Sequence, residues 1–200
     1  MWYNVREMEG TAMKRLAIFD LDGTLFDTCR AHFLAYEAAL NRAGRELDED
    51  FFRHACFGHD FGYFGPLIAP GYGAEELEQL HREKIARYGD FLGQAKKNEH
   101  LFRLIRLMRG TYHTALVTAG SYENSRQILR AHGEEDSFDL ILSAREIPRQ
   151  KPDPIGFQMA MEHFGVLPED TLIFEDSATG VAAAEAAGAQ VLVVRNFATD

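Results

Sequence analysis

The chain has 200 residues, and 31 acidic against 21 basic side chains give it a formal net charge of −10. This balance argues against a surface that binds nucleic acid or an anionic membrane. No apolar run is long enough to cross a bilayer, the first residues lack the apolar core of a signal peptide, and Cys29 and Cys56 cannot form a disulfide framework. We therefore expect a soluble, cytoplasmic protein with one core domain of ordinary size.

Residues 1–13 precede the first predicted strand and are interpreted as an N-terminal extension, with Met13 as an alternative start. Residues 16–19 form a short apolar run, which is typical of a strand buried on both faces of a sheet. Asp20 follows directly, and Asp22-Gly23 comes next. Asp and Gly often close a strand with a turn, which accounts for Asp22-Gly23. A carboxylate at the end of a buried strand needs a partner or a cation, so Asp20 indicates a functional site.

A block of helices comes next and interrupts the alternation of strand and helix. The pattern predicts a helix over 28–43 that begins at Asp27 or Thr28, and a short helix over 48–55. It also predicts an irregular, glycine-rich stretch over 58–73 and a helix over 74–88. This block has the character of an inserted lid.

Strands and helices alternate again after the insert. The predicted strands cover 114–118, 138–142, 171–174 and 190–194, and the predicted helices cover 99–109, 121–132, 153–164 and 177–187. Short apolar strands separated by helices predict an α/β fold, a Rossmann-like parallel sheet of five strands with helices on both faces and an inserted α-helical cap domain. The predicted core domain comprises residues 14–27 and 95–200, and the predicted cap comprises 28–94.

Polar groups follow three more of the predicted strands. Thr118-Ala119-Gly120 lies between a strand and a helix, where a hydroxyl and free N–H groups can hold a phosphate. Taken alone, this stretch also suits an ordinary helix cap. Lys151 precedes Pro152 and is held in an extended segment, from which it can neutralise a phosphate. Taken alone, it also suits a solvated loop lysine.

Glu175 and Asp176 end the strand over 171–174 and repeat the problem posed by Asp20 and Asp22. Four acidic groups at one edge of a sheet would repel one another unless a cation lay between them. Mg²⁺ is the natural candidate because it takes carboxylate and carbonyl oxygens and bridges to phosphate.

Four segments, DLDGT from Asp20, VTAG from Val117, KPDP from Lys151 and FEDSATG from Phe174, resemble the four motifs of the haloacid dehalogenase superfamily of phosphohydrolases. The helical insert resembles the cap of the branch that contains sugar-phosphate phosphatases and β-phosphoglucomutase. Residues 95–99 (AKKNE) differ from the Pro-Gly pair that is common there.

The resemblance implies a role for each motif residue. Asp20 would be the nucleophile that forms an aspartyl-phosphate, and Asp22 would protonate the leaving oxygen and later deprotonate water, with a pKa raised by the crowded acidic site. Thr118, Ala119 and Gly120 would hold the phosphoryl oxygens, and Lys151 would offset their charge. Asp20, the carbonyl of Asp22 and Asp176 would bind Mg²⁺, and Glu175 would do so directly or through water.

The resemblance implies a Mg²⁺-dependent phosphatase that acts on a small phosphorylated metabolite. Asp22 argues against dehalogenation and phosphonate cleavage, and Thr24 and the VTAG loop favour a phosphatase. A sugar phosphomutase is the alternative, because His32 and Lys84 occupy spacings that resemble substrate-facing positions of β-phosphoglucomutase.

Other interpretations stay open at this point. His32 also suits a partly buried helix histidine, and Lys84 a solvated lysine. His54 and His59 flank Gly58, where a substrate-specificity loop would lie. A non-catalytic binding protein on the same fold is a third alternative, and we expect a monomer.

Overall fold

The predicted apolar runs form the strands of a parallel sheet. The computed structural model describes residues 14–195 and 197, so the predicted extension over 1–13, with Met13, lies outside the described residues. The strands are β1 (Arg15–Phe19), β2 (Phe26–Asp27), β3 (Lys96–Lys97), β4 (Tyr112–Val117), β5 (Leu140–Leu142), β6 (Thr171–Glu175) and β7 (Gln190–Val193).

Helices occupy most of the connections between these strands. They are α1 (Cys29–Asn41), α2 (Glu49–Phe51), α3 (Phe61–Ile68), α4 (Ala74–Tyr88), α5 (Glu99–Met108), α6 (Tyr122–Ala131), α7 (Ile155–Phe164) and α8 (Ala178–Ala186). A π-helical turn, Phe52–Cys56, continues α2, and 3₁₀ turns cover Gly89–Gln94 and Pro168–Asp170.

The main sheet has the strand order β5-β4-β1-β6-β7, and all its strand pairs are parallel. Successive side chains of β1 point to opposite faces, as the period of a strand requires. Leu16 and Ile18 pack with residues of α7 and α8, and Ala17 and Phe19 pack with residues of α1, α5 and α6. The α/β fold class predicted from the sequence is confirmed. None of the helices in the described residues is both long and apolar enough to span a membrane.

Helices α1 to α4 form the insert and have an apolar core of their own. Three aromatic rings are buried in this core: Tyr36 on α1, Phe52 in the π-helical turn and Phe64 on α3. Their centroids lie 5.4 to 5.9 Å from one another. The prediction of an irregular stretch over 58–73 is wrong, because residues 61–68 form α3. Burial of Phe64 and Ile68 outweighs the low helix propensity of the glycines and the proline in this segment.

The helix starts agree only in part with the prediction. Of the two residues predicted at the start of α1, Asp27 accepts from the Cys29 amide on its Oδ1 at 3.4 Å, whereas the Thr28 side chain makes no capping hydrogen bond. Asp153 and Pro154 were expected within a helix, whereas α7 begins at Ile155 and the Ile155 amide donates to Asp153 Oδ1 at 3.0 Å. Ser121, which was expected within the helix over 121–132, caps α6, and its hydroxyl oxygen accepts from the Asn124 amide at 3.2 Å.

The chain crosses between sheet and insert at β2 and β3, which pair in an antiparallel ladder. Lys97 on β3 is fastened to the sheet domain by the buried carboxylate of Glu134, 2.6 Å away. Arg106 and the Ser137 hydroxyl also bind Glu134. The crossing lies close to the predicted division of the chain, whose boundaries stay a prediction.

We expect Glu134→Gln to lower the free energy of unfolding by about 3 kcal/mol, because it leaves the shielded Lys97 ammonium without its nearest carboxylate. Glu99→Gln is the matched control. The Glu99 carboxylate lies 3.4 Å from the Lys97 ammonium, but the Glu99 side chain is 70% exposed, whereas that of Glu134 is 8% exposed. The control should lower the free energy of unfolding by less than about 1 kcal/mol. Urea denaturation of both variants tests this, and equal losses would contradict it.

Candidate active site

The carboxyl ends of β1, β4 and β6 lie side by side, so the polar groups that follow these strands meet at one edge of the sheet. A cavity of about 740 Å³ separates this edge from the insert. Nine of the ten site residues predicted from the sequence line it, namely Asp20, Asp22, His32, Lys84, Thr118, Ala119, Gly120, Lys151 and Asp176. Glu175, the tenth, is fully buried behind the cavity.

Lys151 joins the ends of β1 and β6. Its ammonium donates to Asp20 Oδ1 at 2.6 Å, to the Val117 carbonyl at 3.3 Å and to Glu175 Oε1. Burial alone would lower the pKa of Lys151, but the two carboxylates raise it above its ordinary value. Burial raises the pKa of Asp20, and Lys151 opposes that rise. The three groups therefore form one buried network with a permanent cation at its centre.

Both carboxylate oxygens of Glu175 are engaged. Oε1 accepts from Lys151, and Oε2 accepts from the backbone amides of Asp176 and Ser177 at 2.9 and 3.0 Å and from the Ser177 hydroxyl. Gly180 on α8 makes room for this arrangement, because a β-carbon there would lie 1.9 Å from Glu175 Oε1. The first turn of α8 thus holds Glu175 in place.

Asp176 faces the cavity and is partly exposed. The Thr24 hydroxyl donates to its Oδ1 at 2.8 Å. Burial, with the charge of Glu175, raises the pKa of Asp176 to about 6, although the bond from Thr24 opposes this. Gly23 has a positive φ of 92°, and a β-carbon there would lie 2.1 Å from Asp176 Oδ2. Glycine is therefore required where this loop passes Asp176.

Asp20, Glu175 and Asp176 each offer an oxygen, and these oxygens lie within 4.8 Å of one another. An all-oxygen set with two carboxylates facing a cavity suits a hard divalent cation such as Mg²⁺. Burial and the neighbouring carboxylates raise the pKa values of Asp20 and Asp176, and a bound cation would oppose this rise. The group fits a divalent cation.

Asp22 is held by two residues from the start of the insert. The Thr28 hydroxyl donates to Asp22 Oδ1, and His32 Nε2 lies 3.0 Å from the same oxygen. Burial would raise the pKa of Asp22, but His32, these hydrogen bonds and the charge of Lys84 lower it overall. The expectation that acidic crowding raises this pKa is wrong, because these partners outweigh the effect of burial.

The Thr118 side chain is oriented by the loop that follows β4. Its hydroxyl oxygen accepts from the Gly120 amide at 3.0 Å, which leaves the hydroxyl proton available to another acceptor. Gly120 also lies close to Asp22, since a β-carbon there would be 3.4 Å from Asp22 Oδ2. This loop brings the predicted phosphate cradle next to the predicted proton donor.

Lys84 is buried, which differs from the solvated lysine that remained an alternative. Its ammonium lies 4.8 Å from the centre of the Tyr88 ring and 5.4 Å from that of Tyr36. The Asn124 side-chain amide on α6 is oriented so that its nitrogen donates to the Ile85 carbonyl at 3.2 Å and its oxygen accepts from Lys84 Nζ at 3.3 Å. Burial lowers the pKa of Lys84 to about 8, and Asp22 opposes this shift. No pattern in the sequence indicated a role for Asn124.

The insert contributes a wall of aromatic side chains to the cavity, which sequence reasoning missed. Phe57, Phe61 and Tyr63 lie in this wall, and Tyr63 is 57% exposed. His59 lines the cavity as well, and its ring centroid is 4.7 Å from that of Tyr63. His54 instead bonds to the Asp50 carbonyl at 2.7 Å and is not among the lining residues.

Comparison with known proteins identifies the family. The family model of the haloacid dehalogenase-like hydrolases matches residues 17–194. A phosphorylated carbohydrates phosphatase of Thermotoga maritima is 28% identical over 86% of this chain and 80% of its own length. A β-phosphoglucomutase of Bacillus subtilis is 29% identical over 87% of this chain and 80% of its own.

A solved structure shares the fold. The crystal structure of CbbY from Rhodobacter sphaeroides in complex with phosphate superposes with a TM-score of 0.82, at 24% identity, over 92% of this chain and 88% of that one. The family match runs from within β1 to just past β7 and contains all four motifs. The chain therefore belongs to the haloacid dehalogenase-like hydrolases.

Proposed function

We propose that this protein is a Mg²⁺-dependent phosphatase that hydrolyses a small phosphorylated metabolite through an aspartyl-phosphate on Asp20. The observation that carries the proposal is the placement of Asp20 in the cavity, bonded to Lys151 and across from an independently held second carboxyl, Asp22. The relatives named as phosphatases support the same reaction class.

In the first half-reaction, a carboxylate oxygen of Asp20 attacks phosphorus and the bond to the leaving oxygen breaks. Thr118 donates its remaining hydroxyl proton to a phosphoryl oxygen, because its oxygen already accepts from Gly120. The amides of the VTAG loop and the Lys151 ammonium compensate the charge of the phosphoryl group. Positioning and charge compensation are most of what phosphoryl transfer requires of a protein.

Asp22 supplies the proton to the leaving oxygen through its Oδ2. Its pKa is lowered in the site without substrate, and the negative charge of a bound phosphoryl group would raise it and so favour the protonated form that this step needs. Its Oδ1 already accepts from Thr28 and, in the Nε2–H tautomer, from His32, whereas Oδ2 faces the loop at Gly120. In the second half-reaction the same oxygen removes a proton from water, which attacks phosphorus and releases Asp20. Thr28 and His32 act as positioning residues.

Asp20, the Asp22 carbonyl and Asp176 would hold the Mg²⁺. When bound, the cation supplies charge stabilisation at the phosphoryl oxygens. We assign Glu175 to positioning Lys151 rather than to direct ligation, because both of its oxygens accept hydrogen bonds from protein groups. Thr24 orients Asp176 through its hydroxyl.

A sugar phosphomutase is the second candidate. His32 touches Asp22, and Lys84 lines the same cavity, as the resemblance to β-phosphoglucomutase implied. A mutase returns the phosphoryl group to a sugar, so it isomerises a sugar phosphate without net release of phosphate. The monomeric state and the cytoplasmic location remain predictions from the sequence.

Phosphate release in the presence of Mg²⁺ tests the main proposal. We expect release from a panel of sugar, polyol and small-acid phosphates to be abolished by EDTA, restored by Mg²⁺, and lowered at least about 10³-fold by Asp20→Asn, because the amide is not a nucleophile. Undiminished turnover by Asp20→Asn would contradict the mechanism. Isomerised sugar phosphate without free phosphate would favour the mutase.

Thr28 provides a test of how Asp22 is held. We expect Thr28→Val to lower kcat by about tenfold to a hundredfold, because the buried carboxylate loses one of its two donors. Thr28→Ser is the matched control, since it keeps the hydroxyl, and it should retain activity within about threefold. The kcat–pH profile of the valine variant should shift to higher pH on its acid limb, because loss of the bond raises the pKa of Asp22. Equal kcat in both variants would refute this role.

A further inference from the structure

The cavity wall contributed by the insert indicates what kind of alcohol the phosphate is attached to. We propose that the substrate is the monophosphate of an uncharged, ring-bearing alcohol, and that the insert discriminates against substrates with a second anionic group. The proposal rests on the phosphatase function and narrows its substrate class. It follows from the side chains that face the cavity opposite Asp20.

The wall is built from stacked rings. Tyr36 and Phe61 stack with centroids 5.7 Å apart and an interplanar angle of 4°, and Phe61 stacks on His81 at 4.4 Å. Phe57, from the turn before α3, lies 6.1 Å from the ring of His32 and so comes close to the reacting end of the cavity. All of these residues line the same cavity.

Lys151 and Lys84 are the two lysines among the described lining residues, and no arginine is found there. Lys151 is bonded to Asp20 and Glu175 at the catalytic end. Lys84 lies on α4 at the inner end of the wall, 5.4 Å from the centre of the Tyr36 ring. Burial lowers the pKa of His81 to about 4, so its ring is neutral near pH 7.

Beyond Lys84 and His81, the outer part of the wall contains one histidine, His59, and one acid, Asp60, among the described lining residues. Asp60 caps α3, where its Oδ1 accepts from the Tyr63 amide at 3.2 Å. A second phosphate or a carboxylate that lay against this outer part of the wall would therefore meet the Asp60 carboxylate and the electron-rich faces of aromatic rings, with no lysine or arginine among the described lining residues there. This arrangement disfavours bisphosphates and phosphorylated acids.

An uncharged ring suits the same surface. The apolar face of an aryl or pyranose ring buries hydrophobic area against aromatic side chains and stacks on them without desolvating a charge. A cavity of about 740 Å³ is within the usual range for small-molecule sites and accommodates a phosphate together with such a ring.

Matched substrate pairs test the proposal. We expect kcat/KM with Mg²⁺ to be at least about tenfold higher for phenyl phosphate than for 4-carboxyphenyl phosphate, and for glucose 6-phosphate than for glucose 1,6-bisphosphate. Acetyl phosphate, which is too small to reach the wall, reports on the core chemistry alone. Its background hydrolysis is measured with Asp20→Asn.

Two variants locate the selectivity. Asp60→Asn keeps the side-chain oxygen that caps α3 and removes the charge, so it should raise kcat/KM for 4-carboxyphenyl phosphate severalfold relative to phenyl phosphate. Phe61→Ala should lower kcat/KM for phenyl phosphate roughly tenfold, mainly through KM. Phe51→Ala is the control, because Phe51 is 41% exposed and does not line the cavity. It should change kcat/KM for neither phenyl phosphate nor 4-carboxyphenyl phosphate.

The outcomes separate the two proposals. If acetyl phosphate is hydrolysed but the doubly anionic substrates equal or exceed their neutral partners, the phosphatase function stands and the substrate class is wrong. The same conclusion follows if Asp60→Asn and Phe61→Ala leave the preference unchanged. If no substrate, acetyl phosphate included, releases phosphate, the phosphatase function fails and the substrate class fails with it.

Discussion

The site depends on the ion pairs that the Lys151 ammonium makes with the carboxylates of Asp20 and Glu175. Two acids at the ends of adjacent buried strands would repel each other and suffer a desolvation penalty without this ammonium. Glu175 is in turn fastened to the first turn of α8, where only a glycine at position 180 leaves it room. The ends of β1 and β6, Lys151 and the start of α8 thus form one unit. Within it, Asp20 faces the cavity and its charge is compensated by Lys151.

The loop between β1 and β2 connects this unit to the insert. It carries Asp22, and its carbonyls at Thr24 and Leu25 accept from Asn98, at 3.2 Å from the side chain and 2.9 Å from the backbone amide. Asn98 belongs to the segment that differs from the family's usual Pro-Gly pair, and it is buried where the chain returns from the insert. With Thr28 holding Asp22 at the other crossing, both connections bear on the loop that carries the proposed proton donor.

The sequence predicted which polar residues lie together at the sheet edge, because their placement follows from the topology of a parallel sheet. Strands β1, β4 and β6 end in polar groups, and because the strands are parallel those ends meet at one edge of the sheet. The aromatic wall and Asn124 were missed, because they depend on how α3 and α4 pack against the sheet domain. Helix α3 was missed because Gly62, Gly65 and Pro66 suggest a loop. Gly65 in fact gives the ring of Phe61 room, since a β-carbon there would lie 2.9 Å from Phe61 Cζ.

The direction of the pKa shift at Asp22 could not be predicted from the sequence either, since it depends on the distances from Asp22 to Thr28 and His32.

The central claim is that Asp20 becomes phosphorylated, and trapping the phosphorylated enzyme tests it most directly. The enzyme is mixed with a turned-over phosphomonoester and Mg²⁺, quenched in acid within milliseconds, and mapped by peptide mass spectrometry. We predict an added phosphoryl group on the peptide that contains Asp20, stable in acid and removed by hydroxylamine. Rapid turnover without such a group, or with the group on another residue, would contradict the account.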